Sequence, residues 1–264
     1  MTRNFQRLSA GIVASAGLLA LSGAAFAAPA VGLVGDKTLV WFDTDKPEIT
    51  KTVEVTGVDR LHGIDVRPAD GKLYGVAGDG TIVTIDLESG AAAAGSKLSS
   101  MLPEGASASV DFNPVADRLR VMGSDGTNLR AHPDTGEVTV DGSLKFEAGD
   151  ASAEMAPKVV ATAYLNSFGK PEKTAMYDIN AAGTVIQQTA PNDGTLKTIG
   201  KLGIDGADTF AFDIQTTADG VNTAWLAAGG ALYKVNIETG AAEKSADMTG
   251  GDQPIRDLAI LAAM

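Results

Sequence analysis

Four aspartates recur in matching surroundings: Gly63-Ile-Asp-Val-Arg67, Ser109-Val-Asp-Phe-Asn113, Ala211-Phe-Asp-Ile-Gln215 and Ile255-Arg-Asp-Leu-Ala259. A looser copy, Ala163-Tyr-Leu-Asn166, carries Tyr164 where the others carry aspartate. Carboxylates that come close repel one another, and each then favours its protonated form unless something positive stands nearby. A hard cation such as Ca²⁺ would meet that need through the oxygens of Asp65, Asp111, Asp213 and Asp257. Arg67, Arg120 and Arg256, which flank the same stretches, would meet it as well. Asp65, Asp111 and Asp213 could also serve as general acid and base in a glycosidase-like hydrolase, whose paired carboxylates stand about 5–10 Å apart. The plainest role is structural, with each carboxylate accepting backbone N–H groups of its own or a neighbouring repeat.

A second constellation is a basic island in an acidic chain. Asp117-Arg-Leu-Arg120 is followed by Asn128-Leu-Arg130. Arginine forks suit carboxylate or phosphate capture, so Arg67, Arg120, Asn128, Arg130 and Tyr164 are the candidate ligand-binding residues. Ion pairing with Asp117 and Asp134 is the competing reading. His62 and His132 are the two histidines, and their positions in different parts of adjacent repeats do not suggest a shared zinc site. Trp41, Tyr74, Tyr164 and Trp225 could stack on a sugar, yet each sits in a strand pattern that places it in a core. There is no P-loop, no G-x-G-x-x-G and no nucleophile elbow around Ser89, Ser107, Ser109 or Ser167.

The elements that must position these residues read as strands. Gly71–Val76, Thr81–Asp86 and Ala231–Asn236 are short alternating runs bounded by turn residues. Only Leu98–Met101 suggests one turn of helix. Turns recur as Asp86-Leu-Glu-Ser-Gly90, His132-Pro-Asp-Thr-Gly136 and Asn236-Ile-Glu-Thr-Gly240, where Asp or Asn bonds its downstream backbone and glycine takes positive φ. Asp65, Asp111, Tyr164, Asp213 and Asp257, taken as equivalent, are spaced by 46, 53, 49 and 44 residues. A period of about 40–50 residues with four short strands is that of a propeller blade. The expectation is an all-β, five-bladed β-propeller with blades at 61–98, 107–145, 157–203 and 209–248. The fifth joins 253–264 to 30–57, closing the ring with strands from both termini and removing open sheet edges.

Several motifs resemble one family. Leu61-His-Gly-Ile-Asp-Val-Arg-Pro68 with Gly71-Lys-Leu-Tyr-Gly75 looks like one of its motifs. Asp111-Phe-Asn-Pro-Val-Ala-Asp-Arg-Leu-Arg-Val121 with Asn128-Leu-Arg130 looks like its most specific one. Ala163-Tyr-Leu-Asn166 and Pro191-Asn-Asp-Gly-Thr-Leu196 complete the set. The chain therefore resembles the exported domain-of-unknown-function family numbered 4394. The resemblance implies a secreted, propeller-like domain and brings no activity and no catalytic residues with it.

The N-terminus reads as a cleavable signal peptide over residues 1–27. Arg3 and Arg7 are followed by an apolar stretch from Leu8 to Leu21 and by the small-x-small site Ala25-Phe26-Ala27. The two arginines are not adjacent, which argues against a twin-arginine signal. The apolar stretch is shorter than the ~20 residues a spanning helix needs, and no later segment looks able to hold the chain in a membrane. What remains, 28–264, reads as one domain. The formal net charge of −12 becomes about −14 without Arg3 and Arg7, which argues against nucleic acid and anionic membrane as partners. There is no cysteine, which excludes disulfides, thiolate metal sites and thiol chemistry. The expectation is a periplasmic or secreted binding or interaction module for a small molecule, cation or protein. It requires no cofactor, although Ca²⁺ has a place. A hydrolase and a Ca²⁺-stabilised structural protein are the alternatives.

Overall fold

The computed structural model describes residues 27–261, so the expected leader lies outside the described residues except for Ala27. Five small sheets form a ring, a five-bladed β-propeller. The closing blade begins the chain with β1 (Pro29–Val34), β2 (Thr38–Asp43) and β3 (Lys51–Glu54). Blade one is β4 (Leu61–Val66), β5 (Leu73–Ala77), β6 (Thr81–Ile85) and β7 (Ala92–Lys97). Blade two is β8 (Ala108–Asn113), β9 (Arg118–Gly123), β10 (Asn128–Ala131) and β11 (Val138–Val140). The short strand β12 (Lys145–Phe146) crosses to the next sheet. Blade three adds to it β13 (Val159–Tyr164), β14 (Met176–Asn180), β15 (Thr184–Ala190) and β16 (Thr195–Lys201). Blade four is β17 (Phe210–Thr216), β18 (Asn222–Ala228), β19 (Ala231–Val235) and β20 (Ala242–Asp247). Finally β21 (Ile255–Ile260) pairs antiparallel with β1 and completes the closing blade from the other end of the chain.

Local chemistry explains the repetition. Asp86 Oδ1 accepts the Ser89 N–H at 2.8 Å, and Asn236 Oδ1 accepts those of Glu238 at 2.9 Å and Thr239 at 3.1 Å. His132 does the same work through Nδ1, which accepts the Asp134 N–H. No helix forms at Leu98–Met101, because the Leu98 and Ser99 N–H groups bond the distant carbonyls of Gly80 and Gly136. The short 3₁₀ turn lies instead at Pro191–Asp193, where proline sits at the start and Gly194 closes it in the left-handed region. Lys145 and Phe146 run parallel to Thr195 and Leu196. Gly142 permits that crossing, since a side chain there would strike the Asp193 backbone.

The core consists of separate apolar clusters, each spanning two neighbouring blades. Blades three and four share Phe210, Phe212, Ile179 and Leu226. The closing blade and blade one share Leu33, Leu39, Ile64 and Val83. The cluster between blades two and three includes Met122, Phe146 and Ile186. Buried polar residues lie beside it: Arg120, Asn128, Asp178 and Gln188.

Candidate functional site

β4, β8, β13, β17 and β21 are the innermost strands, and their carboxylates bond across the seams between blades. Asp65 Oδ2 accepts the Phe112 N–H at 2.7 Å, Asp111 Oδ1 that of Tyr164 at 3.2 Å, and Asp213 Oδ2 that of Ile260 at 2.6 Å. Each bond runs to the next blade, and in the first the acceptor's own counterpart is one residue before the donor. Applying that rule aligns Ala163 and Ala259 with Asp65, Asp111 and Asp213. The expected equivalence of Tyr164 and Asp257 is therefore corrected: Tyr164 lies one position later and Asp257 two positions earlier. Asp257 belongs with Gly63, Ser109, Ala161 and Ala211. A second layer of seam bonds starts there, with Ile64 N–H donating to Asp257 Oδ2 at 2.8 Å and Thr162 N–H to Ser109 Oγ at 3.1 Å. Gly63 makes room for the first, because a Cβ there would meet Asp257 Oδ2 and the backbone of Val110.

The corrected register explains which carboxylates meet. One oxygen each from Asp65, Asp111 and Asp213 lie within 4.8 Å of one another, and Asp257 stands outside that group. All three are buried. Burial pushes Asp65 and Asp111 well above the usual carboxylate range, and repulsion within the trio adds to it. Burial raises Asp213 to about 6 and Asp257 to about 8, against the opposing pull of the N–H groups each accepts. Asp65 and Asp213 also use their other oxygens on the N–H groups of Val66 and Ile214. Asp65 and Asp213 line a cavity of about 270 Å³ together with Ser167, Phe168 and Gly169 of the loop after β13.

The arginines do not neutralise this trio. Arg67 turns to the neighbouring blade, with Nη2 at 2.6 Å from Asp117 Oδ2 and Nη1 at 2.8 Å from Asp134 Oδ1. Those bonds hold both carboxyls below the usual range. Arg256 donates to the Leu61 and His62 carbonyls at 2.7 and 2.9 Å. Arg120 and Arg130 share Asp141, at 2.6 and 2.9 Å. Burial works against an ionised Asp141, but the two arginines outweigh it and hold the carboxyl low. Asp117 and Asp134 thus pair with Arg67, and the acidic partner of the basic island is Asp141.

Of the five candidate ligand-binding residues, four come together. Arg120 Nε donates to Tyr164 Oη at 3.2 Å and its Nη1 to Asn128 Oδ1 at 2.8 Å, while Arg130 joins through Asp141. Arg67 stands apart. Asn113, Asn192 and Asp193 were not singled out as site residues, yet with Arg120 and Tyr164 they line a second cavity of about 420 Å³. The signal that could have found two of them was the motif beginning at Pro191. His62 is buried beside Arg60 and His132 caps a turn, and neither joins a metal-ligating group among the described residues. Trp225 is buried, with Nε1 donating to Gln215 Oε1 at 2.9 Å, and Tyr74 packs edge-on against Phe112.

Comparisons with known proteins follow the fold. A structural genomics protein of unknown function from Bacteroides thetaiotaomicron VPI-5482 is similar at 15% identity, with a TM-score of 0.52, over 88% of this chain and 66% of that one. The extracellular domain assigned to a one component system, BT4673, from B. thetaiotaomicron aligns at 12% identity and a TM-score of 0.41, over 86% of this chain and 29% of that one. The chain thus spans just under two thirds of the first and less than a third of the second. No curated protein matches the sequence. The model of the family described as Domain of unknown function (DUF4394) matches residues 38–259, and the chain belongs to that family.

Proposed function

We propose that the chain is an exported ligand-binding module of the periplasm or extracellular medium, and that its ligand is a small molecule taken on one face of the ring. That face is the one where the inner strands β4, β8, β13 and β17 end. The observation that carries the reading is the pair of cavities there, of about 270 and 420 Å³, lined by buried polar side chains: Asp65 and Asp213 in one, Arg120 and Tyr164 in the other. Pockets of this size with a few convergent polar groups are the usual form of small-molecule sites. The aspartates serve the ring itself in this reading, since their oxygens accept the N–H groups of neighbouring strands. A hydrolytic pair would need a carboxylate free to approach substrate. Export is supported by the leader features of residues 1–27. Among the described residues no helix is long and apolar enough to cross a membrane.

Native mass spectrometry of protein purified from its own host without chelator tests this. The expected spectrum is that of a chain beginning at Ala28 with a small organic ligand that is lost on denaturation. A bare chain refutes the binding reading, and an intact N-terminus refutes cleavage. A retained calcium ion with no organic adduct would favour the trio of Asp65, Asp111 and Asp213 as a structural metal site instead.

A further inference from the structure

We propose that the seam between blades two and three is a carboxylate-binding pocket, with Arg120 and Tyr164 as its anion-holding groups. The inference rests on the reading that this face of the ring binds a ligand. Two departures from the repeat point to it. The residue paired across the sheet with the inner-strand aspartate position is Tyr74, Tyr177, Trp225 and Val31 in four blades, and Arg120 in blade two. The residue one step after that position is Val66, Phe112, Ile214 and Ile260 in four blades, and Tyr164 in blade three. The first departure puts a charged fork where the other blades have an aromatic or aliphatic residue, the second puts a hydroxyl where they have an apolar one, and the two touch each other at 3.2 Å. Packing alone does not call for them. A buried guanidinium is costly unless paired, and an apolar side chain of similar volume serves a core as well.

The donors of Arg120 and Tyr164 outnumber the acceptors that reach them, while Gln188 Oε1, an acceptor beside the same seam, also lacks a partner among the described residues. Arg120 and Tyr164 are each 1% exposed. The guanidinium has five N–H groups. One goes to Tyr164, two to Asn128 and Asp141, and one from Nη2 to Asn192 Oδ1 at 3.1 Å. The fifth, also on Nη2, has no partner among the described residues. The Tyr164 oxygen accepts from Arg120, so its own hydrogen remains to be donated, and burial keeps the phenol protonated. Asp141 is shared between two arginines, Asp111 accepts the Tyr164 N–H, and Asp178 is taken up by Thr162 and Gln188. Arg67 differs, since Asp117 and Asp134 already cover its fork. One free N–H and one free O–H at the edge of an open cavity match the two oxygens of a carboxylate. Asp193 on the same lining disfavours a phosphate dianion and offers an acceptor to a hydroxyl or ammonium on the ligand.

Calorimetric titration of the chain from Ala28 with lactate, galacturonate, phosphate and glucose tests the assignment. At least one of the two carboxylates should bind one to one below about 10 mM. Phosphate should bind at least roughly tenfold more weakly than the better carboxylate, and glucose not at all. Tyr164→Phe should lower carboxylate affinity by roughly tenfold, as loss of a charge-assisted hydrogen bond does, and Asn192→Ala by a few-fold. Both variants leave the Arg120–Asp141 pair in place and should unfold cooperatively, which Arg120→Met need not do. Failure of both carboxylates to bind, undiminished binding by the Tyr164→Phe variant, or tightest binding of phosphate would each overturn the proposal. If a neutral or cationic molecule is retained in the native spectrum while both carboxylates fail, the ligand-binding reading stands and only this pocket's assignment falls.

Discussion

Asp257→Asn should make the protein more stable at neutral pH. Asp257 is 1% exposed on β21, and burial lifts its carboxyl to about 8. In the unfolded chain the same group titrates near 3.9. The fold therefore prefers the protonated acid, so this group favours folding most at low pH. That preference fades as pH climbs from the unfolded value towards the folded one. At pH 7 the gap is about three pK units, worth on the order of 4 kcal/mol. Asparagine keeps an oxygen for the Ile64 N–H, which now binds Asp257 Oδ2 at 2.8 Å, and carries no charge to desolvate. The variant should gain roughly 10 °C in melting temperature at pH 7 and almost nothing near pH 4. Asp65, Asp111, Asp178 and Asp213 are raised in the same direction, so the parent protein should itself lose stability between about pH 4 and pH 8. His62 opposes this weakly. Burial lowers its pKa, so its contribution grows until pH passes its ordinary value. Asp117, Asp134 and Asp141 are lowered and act only below about pH 4. Urea unfolding followed by tryptophan fluorescence in chelator reads the profile. Stability that rises with pH across this window, or an Asp257→Asn variant no more stable than the parent at pH 7, would refute the reasoning.

Gly63→Ala should cost about 2–4 kcal/mol in urea unfolding, because the new methyl displaces the Asp257 carboxylate from the Ile64 N–H; a loss below about 0.5 kcal/mol would contradict that close approach. Arg67→Met keeps the buried stem but loses the pairs with Asp117 and Asp134, whose side chains are 39% and 60% exposed, so the loss should be only about 1 kcal/mol and should shrink in roughly 1 M salt. Deleting residues 255–264 opens the edge of β1 and removes the N–H that Asp213 accepts, so the chain should aggregate on light scattering. A truncated chain that melts cooperatively near the full-length temperature would refute closure as a requirement.

The ring was legible because turn chemistry and strand alternation repeat in the sequence itself. Asp86 and Asn236 announce their turns by type and spacing, and the side chains make the bonds expected of them. The register within the inner strands was not legible. Aspartate in the closing strand is Asp257, and identity suggested that it matches Asp65. The seam bonds assign that place to Ala259, since Ile260 is the donor to Asp213. An alanine carries no signal, so a two-residue slip is invisible without the cross-seam geometry. The arginines show the same limit. Arg67, Arg120 and Arg256 all lie near inner strands, but which carboxylate or carbonyl each one meets depends on the twist and stagger of neighbouring sheets. Asp141 lies 21 residues from Arg120 in sequence and Asn192 lies 72, and only the fold makes them partners.

Blade three is where the repeat gives way, and the two cavities adjoin it. Its inner strand has Ala161 and Ala163 at the two places from which each other blade grips the next with at least one oxygen-bearing side chain: Asp65, Ser109 with Asp111, Asp213, and Asp257. The seam to blade four carries half-buried bonds beyond the strand ends instead: Asn166 and Asn222 pair through N–H and amide at 2.9 and 2.8 Å, and Ser167 N–H donates to Thr216 Oγ1. Asn166 takes a positive φ of 63° to make them. That turn carries the chain into the loop of Ser167, Phe168 and Gly169 over the acidic cavity, and Thr174 at the loop's far end reaches the cavity of Arg120. A repeat that only had to close a ring would gain from keeping such a grip, from either position, at all five seams. Breaking it at one seam costs stability there, and natural sequences depart from local rules chiefly where a site demands it. The loop of blade three, placed between an acidic and a basic pocket on one face, is the part of this ring whose sequence is explained least by folding, and it borders the face proposed to take the ligand.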